Sequence, residues 1–143
     1  MAAIELDIEW PFVYSKFDGE QSLEDFDRYI EEFKRAVHVR REPWVGVNWL
    51  KRYTTARPAV QRMASWMKES EENARQYCVA TAMVTKSVGF RFVLSSVLLI
   101  RPLVMPYIVC ATFDEAVAFL RGHADKRKLL LPPIVRKPWA DAP

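Results

Sequence analysis

A chain of 143 residues, half of them apolar, 27% charged and with a formal net charge of +3, has the composition of one globular domain. It can bury about 68% of its unfolded surface, so its two cysteines, Cys78 and Cys110, need not staple it and cannot form a metal-ligand spacing. Four glycines leave no glycine-rich phosphate loop, and the acidic start MAAIELDIEW does not read as a secretory signal.

The segment IELDIEW alternates, with Ile4, Leu6, Ile8 and Trp10 on one face and Glu5, Asp7 and Glu9 on the other. Period two is that of a half-buried strand. Pro11 interrupts it, FVYSKFDG follows, and Asp18-Gly19 is a turn signal. Residues 4–18 therefore read as an antiparallel edge pair or one bent strand. Ser22 then stands as a helix N-cap with Glu24 and Asp25 in the first turn. Leu23, Phe26, Ile30, Phe33 and Val37 recur at three and four, the apolar stripe of a helix that ends before Pro43.

PWVGVNWL, residues 43–50, reads as a buried strand and KRYTTARP, residues 51–58, as a polar loop. A second helix carries Val60, Met63, Ala64, Trp66 and Met67, with KESEENARQ as its charged end. CVATAMV, residues 78–84, is the next strand, and its Ala80 and Ala82 suggest that a helix packs close on it. Ser87 is placed to cap a third helix, VGFRFVLSSVLLI.

Residues 93–113 hold a single charge, Arg101. A membrane-spanning helix needs roughly 20 apolar residues in one run. Here Arg101-Pro102 stops the helix and Pro106 prevents a restart, so no membrane span is expected. MPYIVCAT, residues 105–112, reads as another buried strand. Thr112 and Glu115 have capping-box spacing before a helix whose face is Phe113, Ala116, Val117 and Leu120, with Phe119 beside them and Gly122 as C-cap. The alternation of strands and helices predicts an α/β fold: a mostly parallel sheet of four or five strands, an N-terminal antiparallel pair and about four helices. The domain is expected to occupy residues 1–122, with 123–143 a basic, Pro-rich C-terminal tail.

Charge is distributed unevenly. Residues 1–32 carry ten acids against two bases, while 34–62 carry eight bases against Glu42 alone. No helix-turn-helix or RNA-reading motif accompanies the basic segments, so nucleic acid is not an expected partner. His38 and His123 lie in no catalytic frame. The acid pairs Glu24-Asp25, Glu31-Glu32, Glu71-Glu72 and Asp114-Glu115 fall on predicted helix surfaces, whereas general acid–base work needs carboxylates in a cleft. No catalytic residue, metal site or cofactor is expected, and both cysteines read as buried reduced thiols of a cytoplasmic protein.

Two regions do carry a functional expectation. Lys51, Arg52, Tyr53, Thr54, Thr55 and Arg57 lie between the end of a predicted parallel strand and a helix N-terminus, where ligands of open α/β sheets and anions collect. They form a candidate site for an anion or an acidic partner. Phe90, Phe92, Val93, Val97 and Ile100 hold more apolar surface than one sheet face can cover, which makes the third helix a candidate dimer or partner interface.

The succession IELDIEW and FVYSKFDG, SLEDFDRYIEEFKRA, PWVGVNWL, AVQRMASWMKE, CVATAMV and VMPYIVCATF–DEAVAFL resembles the STAS-like fold of bacterial anti-sigma factor antagonists, in particular its divergent members of unknown function. The resemblance covers roughly residues 5–122. It implies a non-enzymatic bacterial regulatory or adaptor protein that acts by protein–protein contact. Better-known members are switched by phosphorylation of a Ser or Thr after the central strand, in a D-S-[ST]-G-like context. The matching place here is KRYTTARP, with neither Asp-Ser nor Gly, and Thr54 and Thr55 are its candidate phosphorylation sites. The alternative is a small-molecule or lipid carrier with an apolar pocket, since related folds hold apolar ligands.

Overall fold

The computed structural model describes residues 4–55 and 57–132, without the side chains at 52–57, 59 and 60. Five strands form one sheet in the order of the chain: β1 (Ile4–Glu9), β2 (Phe12–Gln21), β3 (Trp44–Thr55), β4 (Cys78–Val84) and β5 (Tyr107–Cys110). β1 and β2 pair antiparallel around Trp10-Pro11, and the other pairs are parallel. The alternation of IELDIEW is thus one half of an edge pair. Gly19 is not at a turn. With φ of +77° it sits in a bulge between Asp18 and Glu20, where β2 shifts register against β3.

The helices are α1 (Leu23–Ala36), α2 (Arg57–Glu69), α3 (Glu71–Tyr77), α4 (Val88–Ile100) and α5 (Phe113–Lys126), and a 3-10 turn spans His38–Arg40. A sheet that grows in one direction through right-handed crossovers places every crossover helix on the same face. The two hydrophobic clusters agree with that rule. Val13, Phe17 and Trp44 pack with Phe26, Tyr29, Ile30 and Phe33 of α1 and Trp66 of α2. On the opposite face Phe12, Tyr14, Val45, Val47, Trp49, Ala82 and Val84 meet Phe113, Ala116 and Leu120 of α5. The small side chains of Ala80 and Ala82, both fully buried, belong to this second cluster, as close packing of a helix on β4 requires.

The caps follow the sequence closely. Ser22 Oγ accepts from the Asp25 amide at 3.1 Å while Asp25 Oδ2 accepts from the Ser22 amide at 2.9 Å, a complete capping box. The second of these bonds, to the charged form, is the main reason the Asp25 carboxyl is held below its usual range. Ser87 Oγ accepts from the Phe90 amide and opens α4. Thr112 Oγ1 accepts from the Glu115 amide, but Glu115 answers to the Thr112 hydroxyl rather than to its backbone, so this box is half built.

Several boundaries differ from expectation. Residues 51–55 are not a loop: β3 continues to Thr55, paired with β2 through Glu20 and Gln21, and α2 begins at Arg57. The charged end of the second helix is a separate helix, α3, opened at Ser70. The strand read over 105–112 is only Tyr107–Cys110, an edge strand whose first three residues are half-buried. Gly122 is inside α5, which runs to Lys126. There Lys128 adopts φ of +55° and the amides of Leu129 and Lys128 donate to Ala124 O and Asp125 O, the Schellman pattern. Leu129 and Leu131 then pack on the α5 cluster, which explains why the helix is carried past its glycine.

Candidate functional site

Two features of this fold offer chemistry or contact. The first is the outer face of α4. Ser87 starts this helix and Arg101 ends it, and of its thirteen residues only Leu98 is buried. Tyr107 of β5 ties it down by donating its hydroxyl to Leu98 O at 3.2 Å. Phe92, Val93, Val97, Leu99 and Ile100 are 53–85% exposed, as is Val88 at 71%. Their exposed fractions amount to roughly 700 Å² of apolar surface, above the few hundred Å² usual on a monomer. Between Arg91, which donates to Thr85 O, and Arg101 the helix carries no charge. Of the interface residues expected from sequence, Phe92, Val93, Val97 and Ile100 lie on this exposed side and Phe90 is half-buried at its margin. Leu99, 83% exposed, and Val88 are the members sequence reasoning left out; the place of Leu99 two turns after Phe92, and of Val88 one turn before it, was the available signal.

The second feature is a cavity of about 150 Å³ between the sheet and the helices α1, α2 and α3. Parallel pairing of Ser15 with Asn48 and of Gly46 with Thr81 brings three strands to its floor. Gly46 is required there. A Cβ on it would stand 3.0 Å from Thr81 Oγ1 and 3.1 Å from the Trp44 ring. Ser15 Oγ and the Tyr29 hydroxyl share a buried hydrogen bond of 2.6 Å. Asn48 Nδ2 donates to Thr81 Oγ1, which in turn donates to Gly46 O. Aromatic rings form the walls. Trp66 stacks on His38 at 5.2 Å between centroids, and Phe33 presents its edge to both, and also to Trp44.

The described titratable groups that line this cavity, Tyr29 and His38, are uncharged at neutral pH. Burial pushes the Tyr29 phenol up to about 12, against the opposing pull of its bond to Ser15. Burial, helped by the nearby Lys34 charge, lowers His38, so its imidazole is uncharged. Among the described residues, no Lys, Arg, Asp or Glu lines it. The histidine at the end of the first helix is therefore a cavity wall, half-buried against Trp66.

The basic segment is less fully described. Lys51 has a half-buried side chain. Arg52, Tyr53, Thr54, Thr55 and Arg57 are placed by backbone only, the first four on β3 and Arg57 at the start of α2; their side chains lie outside the described residues. Among the acid pairs, Asp25 is occupied as a cap, while Glu71 and Glu72 accept from Arg75. Among the described residues no group of three His, Cys, Asp or Glu could hold a metal. Both cysteines are buried, and burial pushes their thiols up to about 12 for Cys78 and about 11 for Cys110. Among the described residues no helix is long and apolar enough to cross a membrane.

An antiparallel edge pair followed by a parallel sheet with crossover helices on one face and a closing helix on the other defines a SpoIIAA-like, or STAS-like, fold. The chain is similar to the crystal structure of an uncharacterized protein of the DUF3478 family with a SpoIIAA-like fold from Shewanella loihica PV-4. The TM-score is 0.65 and the identity 11%, over 82% of this chain and 92% of that one. No family model and no curated protein matches the sequence. The fold read from the strand and helix succession is the fold found.

Proposed function

We propose that this protein is a non-enzymatic bacterial regulatory adaptor of the cytoplasm that works by protein–protein contact, with the outer face of α4 as its contact surface. The observation that carries this reading is that face: a helix held to the sheet at Leu98, uncharged from Phe92 to Ile100 and exposing Phe92, Val93, Val97, Leu99 and Ile100. The SpoIIAA-like fold is consistent with such a role. The complement of an uncharged apolar helix face is another one, and a second copy of this chain supplies it by two-fold symmetry. Roughly 700 Å² per copy is close to the roughly 800 Å² per partner of a standard interface.

The test is sedimentation equilibrium of the full chain from 1 to 200 µM, with Phe92→Glu and Leu99→Glu in parallel. Expected are a dimer for the native sequence and a monomer for each variant, with thermal unfolding at low concentration unchanged. A native monomer at the highest concentration sinks the second-copy reading. Dimers that survive both substitutions move the interface away from α4. A second reading, a small-molecule carrier, is favoured by the aromatic-walled cavity. At about 150 Å³ it is half the roughly 300 Å³ at which drug-sized ligand sites begin, so that reading is restricted to a small molecule.

A further inference from the structure

The two edges of the sheet are built differently. β1 forms one edge and carries an acid at every second position, Glu5, Asp7 and Glu9. Charges on an edge strand guard it against a further strand. β5 forms the other edge, and its residues Tyr107, Ile108, Val109 and Cys110 include no charge and no proline. Its pairing with β4 fixes which backbone groups point outward. The amides of Thr81 and Thr85 donate to Pro106 O and Cys110 O, and Thr81 stands opposite Tyr107. In a parallel ladder alternate residues bond to the same neighbour. Pro106, Ile108 and Cys110 therefore turn their backbone to β4, and Tyr107 and Val109 turn theirs outward, each with one N–H and one C=O. Among the described residues, neither Tyr107 nor Val109 makes a backbone bond beyond the β4 ladder. The side chains alternate in step. Tyr107 reaches Leu98 O with its hydroxyl, so it and Val109 lie on the α4 face. Ile108 lies on the α5 face, half-buried like Val117 and Phe119.

We infer that β5 pairs antiparallel with β5 of a second copy about a two-fold axis at Ile108, which joins the two sheets into one and sets the two α4 helices against each other. Centred there, Tyr107 of each copy stands opposite Val109 of the other, and each such pair exchanges two hydrogen bonds. Every outward N–H and C=O of the strand is then met. The axis is perpendicular to the sheet, so each face maps onto itself. α4 meets its counterpart on one face of the seam, and Ile108 meets its counterpart on the other. The inference rests on the α4 reading above and deepens it: so short a strand supplies few bonds, and the exposed apolar face of α4 supplies the burial.

The test is disulfide trapping in the full chain. Opposed residues whose backbones do not bond each other have Cα atoms about 4.5 Å apart, within the roughly 4.4–6.8 Å that a disulfide spans. Ile108→Cys faces its own counterpart at such a pair. Val109→Cys lies roughly 9 Å from its counterpart, out of reach. With oxidised glutathione and 200 µM protein, Ile108→Cys should form a covalent dimer at least 10-fold faster than Val109→Cys. The native chain, whose cysteines are both buried, should form none. Sedimentation of the same samples without oxidant separates this pairing from the α4 contact. A dimer in which Ile108→Cys cross-links no faster than Val109→Cys overturns the strand pairing and leaves the α4 contact standing. A native monomer at 200 µM overturns both. If Ile108→Cys fails to fold, amide exchange of the native chain decides. The Tyr107 and Val109 amides should then exchange at least 10-fold more slowly in the native dimer than in Phe92→Glu, and equal rates overturn the pairing.

Discussion

Leu99 and Leu120 put the same side chain on two helices of one domain, at opposite extremes of burial. Leu120 is fully buried among Val79, Phe113 and Ala116 of the α5 cluster, whereas Leu99 is 83% exposed. Truncating a buried leucine to alanine removes the transfer free energy of its methyl groups and leaves a cavity, which costs about 3 kcal/mol and up to about 5. At Leu99 there is little burial to lose, and alanine is a slightly better helix former, so the cost is within about 0.5 kcal/mol. In urea unfolding at 1 µM, Leu120→Ala should therefore lower the midpoint steeply and Leu99→Ala hardly at all. In a domain of this size 3 kcal/mol corresponds to a drop in Tm of roughly 10 °C. Repeating both at 100 µM separates folding from association. If α4 pairs with a second copy, the native midpoint rises with concentration, and Leu99→Ala removes most of that rise. A cost above about 1 kcal/mol for Leu99→Ala at 1 µM would refute the reasoning, because it would mean that this chain covers its own α4.

Three further outcomes follow from the packing and the caps. Cys78, Cys110 and Tyr29 all lose their protons at higher pH when folded, about 12, 11 and 12 against ordinary values of 9.0, 9.0 and 10.0. The unfolded chain therefore ionises first, and stability present below pH 9 is lost as pH rises from 9 toward 12, by about 1.4 kcal/mol per pH unit for the well-buried Cys78. Urea midpoints at pH 7.5 and 10 check this, and a thiol-reactive dye at pH 8 should label both cysteines only after unfolding. Ser22→Ala removes half a capping box and should cost about 1 kcal/mol, with Ser22→Gly costing only a few tenths, read from urea midpoints. Gly46→Ala brings a methyl group 3.0 Å from a Thr81 Oγ1 that Asn48 and Gly46 O already hold, so it should destabilise by about 1–3 kcal/mol. A change below 0.5 kcal/mol would mean that Trp44 yields into the cavity.

Much of the architecture was legible because the signals were local and periodic. The alternation of IELDIEW, the three-and-four spacing of Phe26, Ile30 and Phe33, and the serines at 22 and 87 each specify one element and its start. What escaped sequence reading was fixed by contacts distant in the chain. Residues 51–55 look like a polar loop, yet β2 continues alongside as far as Gln21, and its backbone pairs with Thr54 and Thr55. Gly122 looks like a helix stop, yet Leu129 packs on the α5 cluster, and a lysine in the left-handed conformation closes the helix instead.

The two candidate sites differ in the same physical way. The α4 face was visible because its excess apolar surface is written in one contiguous stretch, Val88 to Ile100. The cavity was not, because its polar floor is assembled from four separate elements: Ser15 from β2, Tyr29 from α1, Asn48 from β3 and Thr81 from β4. Each of these residues is unremarkable where it stands in the chain. Only parallel register brings Ser15 beside Asn48, and Gly46 beside Thr81. Gly46 also keeps the floor clear, since any larger residue there would press on Thr81 and Trp44.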